Sequence, residues 1–369
     1  MAISRRALGI GLLAASGAAT GGYVYLREHP EIGGRFGEPK KLFGFAGGEK
    51  EGFLANARVR ELLERRFGLV LDARRAGSVE MVREPALLSQ KPQFLWPSSS
   101  VMVDLAKKSG VAVRRDQVVL NAPIVVYTWG PVVDGLTKAG LVTTTSDGFH
   151  QLDLKALLQA ILAGTDWSKL GVDALYGKAR IDSTDPNRSN SGFMFAGLAL
   201  SLLTGDVATM DDLAKHGDDV VTIFRDMGLK SSSSGKLFDQ YLAGGLGAEP
   251  MVVGYENQLV EWILADPARW AAIKAGNGPK PVLLYPRPTV YSAHPLIIID
   301  PAADGLLEAM LTPKLQELAW TRHGFRGPLG SFATNANAAI AGLLPAEVSA
   351  VLPMPDADVM LALLGKLVG

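Results

Sequence analysis

Arg180-Ile181-Asp182-Ser183-Thr184-Asp185-Pro186-Asn187-Arg188-Ser189-Asn190-Ser191-Gly192-Phe193 is the stretch on which the reading of this chain turns. Its apolar lead-in, Lys178 to Ile181, reads as the end of a strand, and a turn crowded with Ser, Thr, Asp and Asn follows. From about Ser191 the run through Phe193-Met194-Phe195-Ala196 to Leu200 reads as a helix. Strand, polar turn and helix in that order gather hydroxyls and unpaired backbone N–H groups just before a helix N-terminus, where the macrodipole favours negative charge. An ordinary loop capped by Ser189 or Asn190 uses the same residues. Recurrence of the unit elsewhere in the chain decides between the two.

It recurs. Lys41 to Ala46 is a short apolar strand, followed by Gly47-Gly48-Glu49-Lys50 and a helix from Phe53 to Phe67 that turns Leu54, Val59, Leu62 and Leu63 inward. The glycine pair permits close backbone approach to a ligand. Gly68 to Asp72 is a second strand, and Gly77-Ser78 opens the next helix; Phe94-Leu95-Trp96 is a third, and Pro97-Ser98-Ser99-Ser100 opens another. Val118 to Tyr127 is strongly β-forming. Further on, Leu152 to Leu162 and Ala208 to Met227 hold helices, and the Ser231–Ser234 run reads as a cap for a helix through Leu242. Met251 to Tyr255 is a strand with Glu256-Asn257-Gln258 starting the helix after it. Pro281 to Tyr285 and Val290 to Asp300 are strands, and Leu306 to His323 is helical with a break near Thr312-Pro313. Alternating strands and helices predict a parallel sheet covered on both faces, with ligands beyond the carboxyl ends of the strands, where Gly48, Ser78 and Ser98 fall.

Composition narrows the class. The 369 residues are 48% apolar and 20% charged, ordinary globular material long enough for two cores. Lys plus Arg, 37, equals Asp plus Glu, 37, and no basic stripe stands among aromatics, so nucleic acid is not an expected partner. There is no Cys, hence no disulfide, thiolate metal site, Cys nucleophile or N-terminal Cys for lipid. Ser4-Arg5-Arg6 precedes an uncharged run from Ala7 to Leu26. Residues 1–26 therefore read as an export signal of twin-arginine type or a retained membrane anchor, with the body outside the cytoplasm, and 27–40 as a linker.

Most catalytic chemistries lack their residues. The five His show no ligand spacing, so no metal is expected. No Gly-x-Ser-x-Gly elbow and no phosphate-binding loop occurs. Asp182, Asp185 and Glu256 are the only acid–base candidates, and no partner pattern fixes a reaction for them; His294, inside an apolar strand, reads as a core histidine. What remains is a set of strand ends rich in Gly, Ser, Thr, Asn and Tyr, which binds by hydrogen bonds and needs no cofactor.

The order of these motifs resembles the periplasmic solute-binding proteins of ABC transporters, in their type II fold. Gly47-Gly48-Glu49-Lys50, Gly77-Ser78 and Ser98-Ser99 follow the order of the first lobe, and Asn121 to Val126 is similar to the crossing strand. Asp182 to Pro186 with Ser191-Gly192, and Gly254-Tyr255-Glu256, resemble second-lobe loops. Tyr285-Pro286 with His294-Pro295-Leu296 resembles the return crossing, and Leu311 to Ala319 with Gly324-Phe325-Arg326 the C-terminal helix and its sequel. The resemblance covers roughly residues 40–327 and implies two Rossmann-like α/β lobes joined by two crossing strands. The first lobe is expected at 41–126 and 286–369 and the second at 127–285, with the tail packing back on the body. It implies a cleft that closes on a small polar solute such as an oxyanion, bound by Gly48, Glu49, Lys50, Ser78, Ser98, Ser99, Ser183, Thr184, Asp185, Ser191, Tyr255 and Glu256. The implied partner is an ABC permease. An anchored binding or sensor module without a transporter, and an enzyme on the same fold, are the competing readings.

Overall fold

The computed structural model describes residues 38–328, 340, 342–348 and 350–368. The export or anchor reading of residues 1–26, and the linker reading up to residue 37, lie outside the described residues. Among the described residues no helix is long and apolar enough to cross a membrane.

Three parallel strands begin the fold: β1 (Lys40–Ala46), β2 (Leu69–Arg75) and β3 (Phe94–Trp96), in the spatial order β2-β1-β3. Helix Ala57–Phe67 returns the chain from β1 to β2; its cap Asn56 accepts from the Arg58 amide, and Gly68 ends it at φ 62°. That left-handed conformation is the reason for a glycine at this stop. The strand β4 (Arg115–Trp129) then runs for 15 residues. The short hairpin β5 (Val142–Thr144) with β6 (His150–Leu152) follows, then β7 (Met251–Tyr255), β8 (Pro281–Pro286) and β9 (Tyr291–Ile298).

β4 joins the two halves. Its first part, Arg115 to Pro123, pairs antiparallel with β9, which in turn pairs with β3. From Ile124 it drops that partner and is flanked by β7 on one side and β8 on the other, both antiparallel. β6 runs parallel beside β8, and Asp182 adds a bridge to Val252 beyond β7. The chain thus crosses once along β4 and returns between β8 and β9. The parallel pattern expected from the sequence holds for β1–β3 and for β6 with β8, while the crossing strands run antiparallel to their neighbours. The expected strand leading up to Asp182 is reduced to isolated bridges at Asp166–Lys178 and Asp182–Val252.

Two apolar clusters fill the molecule. One runs from the first sheet half through Ile124 and Val126 to helix Asn190–Thr204, whose residues Asn190 to Leu202 are all buried. The other, around Tyr127, Trp129, Tyr241 and Trp270, fills the opposite face of the second half. The C-terminal helix Ala357–Leu367 buries Val359, Met360, Leu363 and Leu364. It packs chiefly on helices Asn190–Thr204 and Met210–Asp226 of the second half and also reaches Val101–Lys108 of the first. The tail, expected with the first lobe, therefore touches both.

The stretch Asp182–Phe193 is held by close backbone approach. Gly192 N–H donates to Thr184 Oγ1 at 2.8 Å, and Thr184 Oγ1 lies 2.7 Å from Ser191 Oγ. A Cβ on Gly192 would stand 2.2 Å from the Thr184 carbonyl oxygen. Gly192→Ala is expected to destabilise by about 1–3 kcal/mol through overpacking. Gly235→Ala, in a helix where a Cβ meets nothing within 4 Å, should be neutral or stabilising by up to about 1 kcal/mol. Urea melts of the two variants check this, and equal midpoints would refute the tight turn.

Candidate functional site

Where the two halves face each other, a cavity of about 700 Å³ opens. From the first half, Gly47, Gly48 and Glu49 after β1, and Arg75 to Ser78 after β2, form its wall. From the second half come Arg188 to Asn190, Ser232 to Lys236, and Asn257 with Gln258. The starts of three helices, Asn190–Thr204, Ser234–Ala248 and Glu256–Ala265, therefore border it. Each presents backbone N–H groups and the positive end of its dipole.

A buried polar cluster lies behind the first wall. Lys50, fully buried, donates from Nζ to Glu49 Oε1 at 2.5 Å, to Ser98 Oγ at 2.8 Å and to His294 Nδ1 at 3.0 Å, with the Pro97 carbonyl at 3.3 Å. Because His294 Nδ1 accepts from the ammonium, its other nitrogen carries the proton, and Nε2–H donates to Ser292 Oγ at 3.2 Å. The Ser292 hydroxyl passes on to the Ser98 carbonyl at 2.6 Å. That carbonyl also accepts from Asn190 Nδ2 at 2.8 Å, a direct bond between the two halves. Asn190 Nδ2 reaches Tyr255 OH at 3.1 Å as well.

The electrostatics follow from these contacts. Burial works against ionising Glu49, yet the charge of Lys50 and the hydrogen bonds from Lys50 and Ser98 outweigh it and hold the carboxyl at about 2. Burial pulls Lys50 down, opposed by Glu49. Burial, with Lys50 beside it, pushes His294 well below its ordinary value, so the ring is neutral. Asp182 is raised to about 6, mainly by burial. Its Oδ2 lies 3.1 Å from Arg180 Nε but has no aligned hydrogen-bond donor.

The residues expected to bind ligand separate into groups. Gly48, Glu49 and Ser78 line the cavity. Lys50 and Ser98 are turned inward into the polar cluster, and Tyr255 touches it through Asn190. Thr184 and Ser191 bond each other and the start of their helix, and Asp185 Oδ1 accepts from the Asn187 amide at 2.9 Å. Ser99 and Ser183 are buried, their hydroxyls unpartnered among the described residues, and neither borders the cavity. Glu256 is turned away altogether. Its carboxylate takes a bidentate pair from the fully buried Arg326 at 2.7 and 2.8 Å, plus the Tyr285 hydroxyl at 2.7 Å.

Several wall residues escaped the sequence reading, above all Asn257, Asn190, Arg188 and Lys236. Asn257 is fully buried, and neither amide atom has a partner among the described residues; Asn190 Oδ1 is likewise unpaired. Leaving such atoms dry costs about 1–3 kcal/mol each, so they mark where a bound molecule would compensate. The only signal in the sequence was the position of both asparagines at helix starts.

No family model matches this sequence, and no curated protein matches it. Solved structures do. A periplasmic thiamin-binding protein superposes with TM-score 0.58 at 13% identity, covering 91% of this chain and 98% of its own. The apo ferric ion-binding protein A of Pasteurella haemolytica gives 0.56 at 11% identity, covering 88% and 96%. The periplasmic binding protein AfuA of Actinobacillus pleuropneumoniae, with fructose-6-phosphate bound, gives 0.53 at 12%, covering 89% and 97%. The chain has the type II periplasmic binding protein fold. Identities this low establish architecture, while the walls of the cleft are this chain's own.

The Glu49 cluster makes a stability prediction. Its folded pKa lies below the unfolded value of 4.5, so its contribution is present above about pH 4.5 and lost as pH falls through about 2. Over that window it amounts to roughly 3 kcal/mol. Glu49→Gln should flatten this part of the acid profile. It should also lower stability at pH 7 by about 3–5 kcal/mol, because Lys50 is left buried without its counter-ion. Denaturant melts from pH 2 to 7 on both proteins check it; an unchanged acid slope in the variant would refute the assignment.

Proposed function

We propose that this chain is an extracytoplasmic solute-binding protein that captures a small polar solute in the cleft and closes on it. The observation that carries the reading is the cavity itself. It is walled by both halves, bordered by three helix starts, and contains buried amide atoms without partners. The hinge is supplied by the two crossings, β4 at Pro123–Ile124 and the β8–β9 return. The first lobe takes 41–126 together with 286–327, the second 127–285, and the tail spans both.

The similar structures are named for binding thiamin, ferric ion and a sugar phosphate, which supports a binding role without fixing the solute. Delivery to an ABC-type permease outside the cytoplasm is the transport role that accords with this reading and with Arg5-Arg6 before an uncharged run. Replacing both arginines by lysine is expected to retain the protein in the cytoplasm, as read by fractionation. Normal export of that variant would exclude the twin-arginine route.

Binding and closure are tested together. A thermal-shift screen over oxyanions, sugars, amino acids and phosphorylated solutes should find one that raises Tm, since a ligand selective for the folded state stabilises it by mass action. Small-angle scattering should then show a smaller radius of gyration with that solute at saturation. An unchanged profile would refute closure, and a screen with no shift would refute the solute site.

A further inference from the structure

On the reading of the cleft as a solute site, we propose that its ligand is an organic solute carrying an ammonium group together with an acid group, the ammonium held at Glu49 and the acid group toward Arg188 and Lys236. The ground is the disposition of charge around the cavity. Five carboxylates border the cavity, but three are already engaged: Glu80 accepts the Gly77 amide, Glu51 lies 3.8 Å from Arg75, and Glu261 pairs with His323 at 2.7 Å. Asp239 has no ion pair among the described residues, and Glu49, although paired with Lys50 through one oxygen, keeps the other without a partner.

Glu49 is the decisive group. Lys50 and Ser98 both donate to Oε1, and Oε2 has no partner among the described residues. With Oε1 taken, Oε2 is left to accept from a donor in the cavity that Glu49 lines, and it has no hydrogen to offer an anion. Lys50 cannot reverse this, because its N–H groups are spent within the cluster. Asn257 adds an unspent donor and acceptor in a fully buried position, matching a solute with both kinds of group. Arg188 and Lys236, at the exposed rim, have no carboxylate partner among the described residues and lie by the starts of helices Asn190–Thr204 and Ser234–Ala248.

The test uses the full chain and matched probes that differ only in the ammonium: O-phosphoethanolamine against ethyl phosphate, and 4-aminobutyrate against butyrate. Calorimetric titration should show the ammonium-bearing member binding at least tenfold more tightly in one pair. Glu49→Gln with Lys50→Met, which removes both partners of the buried pair and strands neither, should abolish the difference. Asn257→Ala should weaken the same probe about tenfold with an undiminished Tm, since the side-chain amide holds nothing in the fold, and it serves where the double variant fails to fold. Equal affinities within both pairs, a preference that persists in the double variant, or no binding by either ammonium probe would overturn the proposal. Should sulfate, phosphate or a sugar bind under those outcomes, the ligand class alone is lost. Should none bind, the solute site is lost with it.

Discussion

Every backbone donor and acceptor buried in a sheet needs a partner, and β4 meets that demand by changing partners midway along its length. Up to Pro123 it is the edge of the first sheet half, bonded to β9; from Ile124 it is central to the second, bonded to β7 and β8. Proline has no N–H to give, so it suits the point where one ladder ends and the next begins. The gap is sealed from the return crossing: Ile124 N–H donates to the Val290 carbonyl at 3.0 Å, and Thr289 Oγ1 donates to the Ile124 carbonyl at 2.8 Å. The cleft lies between two halves joined by β4 and by the β8–β9 return.

The same demand for partners governs the charged wall of the cleft. An ammonium and a carboxylate taken out of water repay their desolvation only when further hydrogen bonds complete both shells. Around Lys50 and Glu49 those bonds come from Ser98, His294 and the Pro97 carbonyl, on the loop after β3 and on β9. The wall is thereby tied to the crossing strands, and its charge is set by the fold before any solute arrives. The Glu256–Arg326 pair does similar work beside β8, where Arg326 also donates to the carbonyls of Pro345 and Ala346.

Much of this architecture was legible in the sequence. β3 and β7 fall where the apolar runs placed them, and Pro313 divides the long helical run as expected. Gly48, Glu49 and Ser78 border the cavity at strand ends that the sequence marks by a change of period. Which way a side chain turns within a single tight turn was not legible. Glu49 and Lys50 are adjacent in a 3-10 turn, one toward the cleft and one into the core. Glu256 and Asn257 are neighbours at a helix start, where about 100° of rotation per residue sends one to Arg326 and the other to the cavity. Partners 70 residues away in sequence decide such cases, as for Glu256 and Arg326, and no local pattern announces them.

The tail is bonded to the return crossing and packed on both halves. Its backbone extends the return crossing: Thr289 N–H donates to the Ala350 carbonyl, and Leu352 N–H donates to the Thr289 carbonyl at 2.8 Å. Helix Ala357–Leu367 then lays its apolar face on helices of the second half, while Met354 and Met360 lie close against Gly197. Its ties to the first half are the packing on Val101–Lys108 and the ion pair between Lys108 and Asp358, both of whose side chains are largely solvated. An exposed pair of that kind is worth about 0–1 kcal/mol, far less than the burial of four apolar side chains. The helix thus rests mainly on the second half, while the tail before it stays tied to the first through Arg326, which donates to the Pro345 and Ala346 carbonyls.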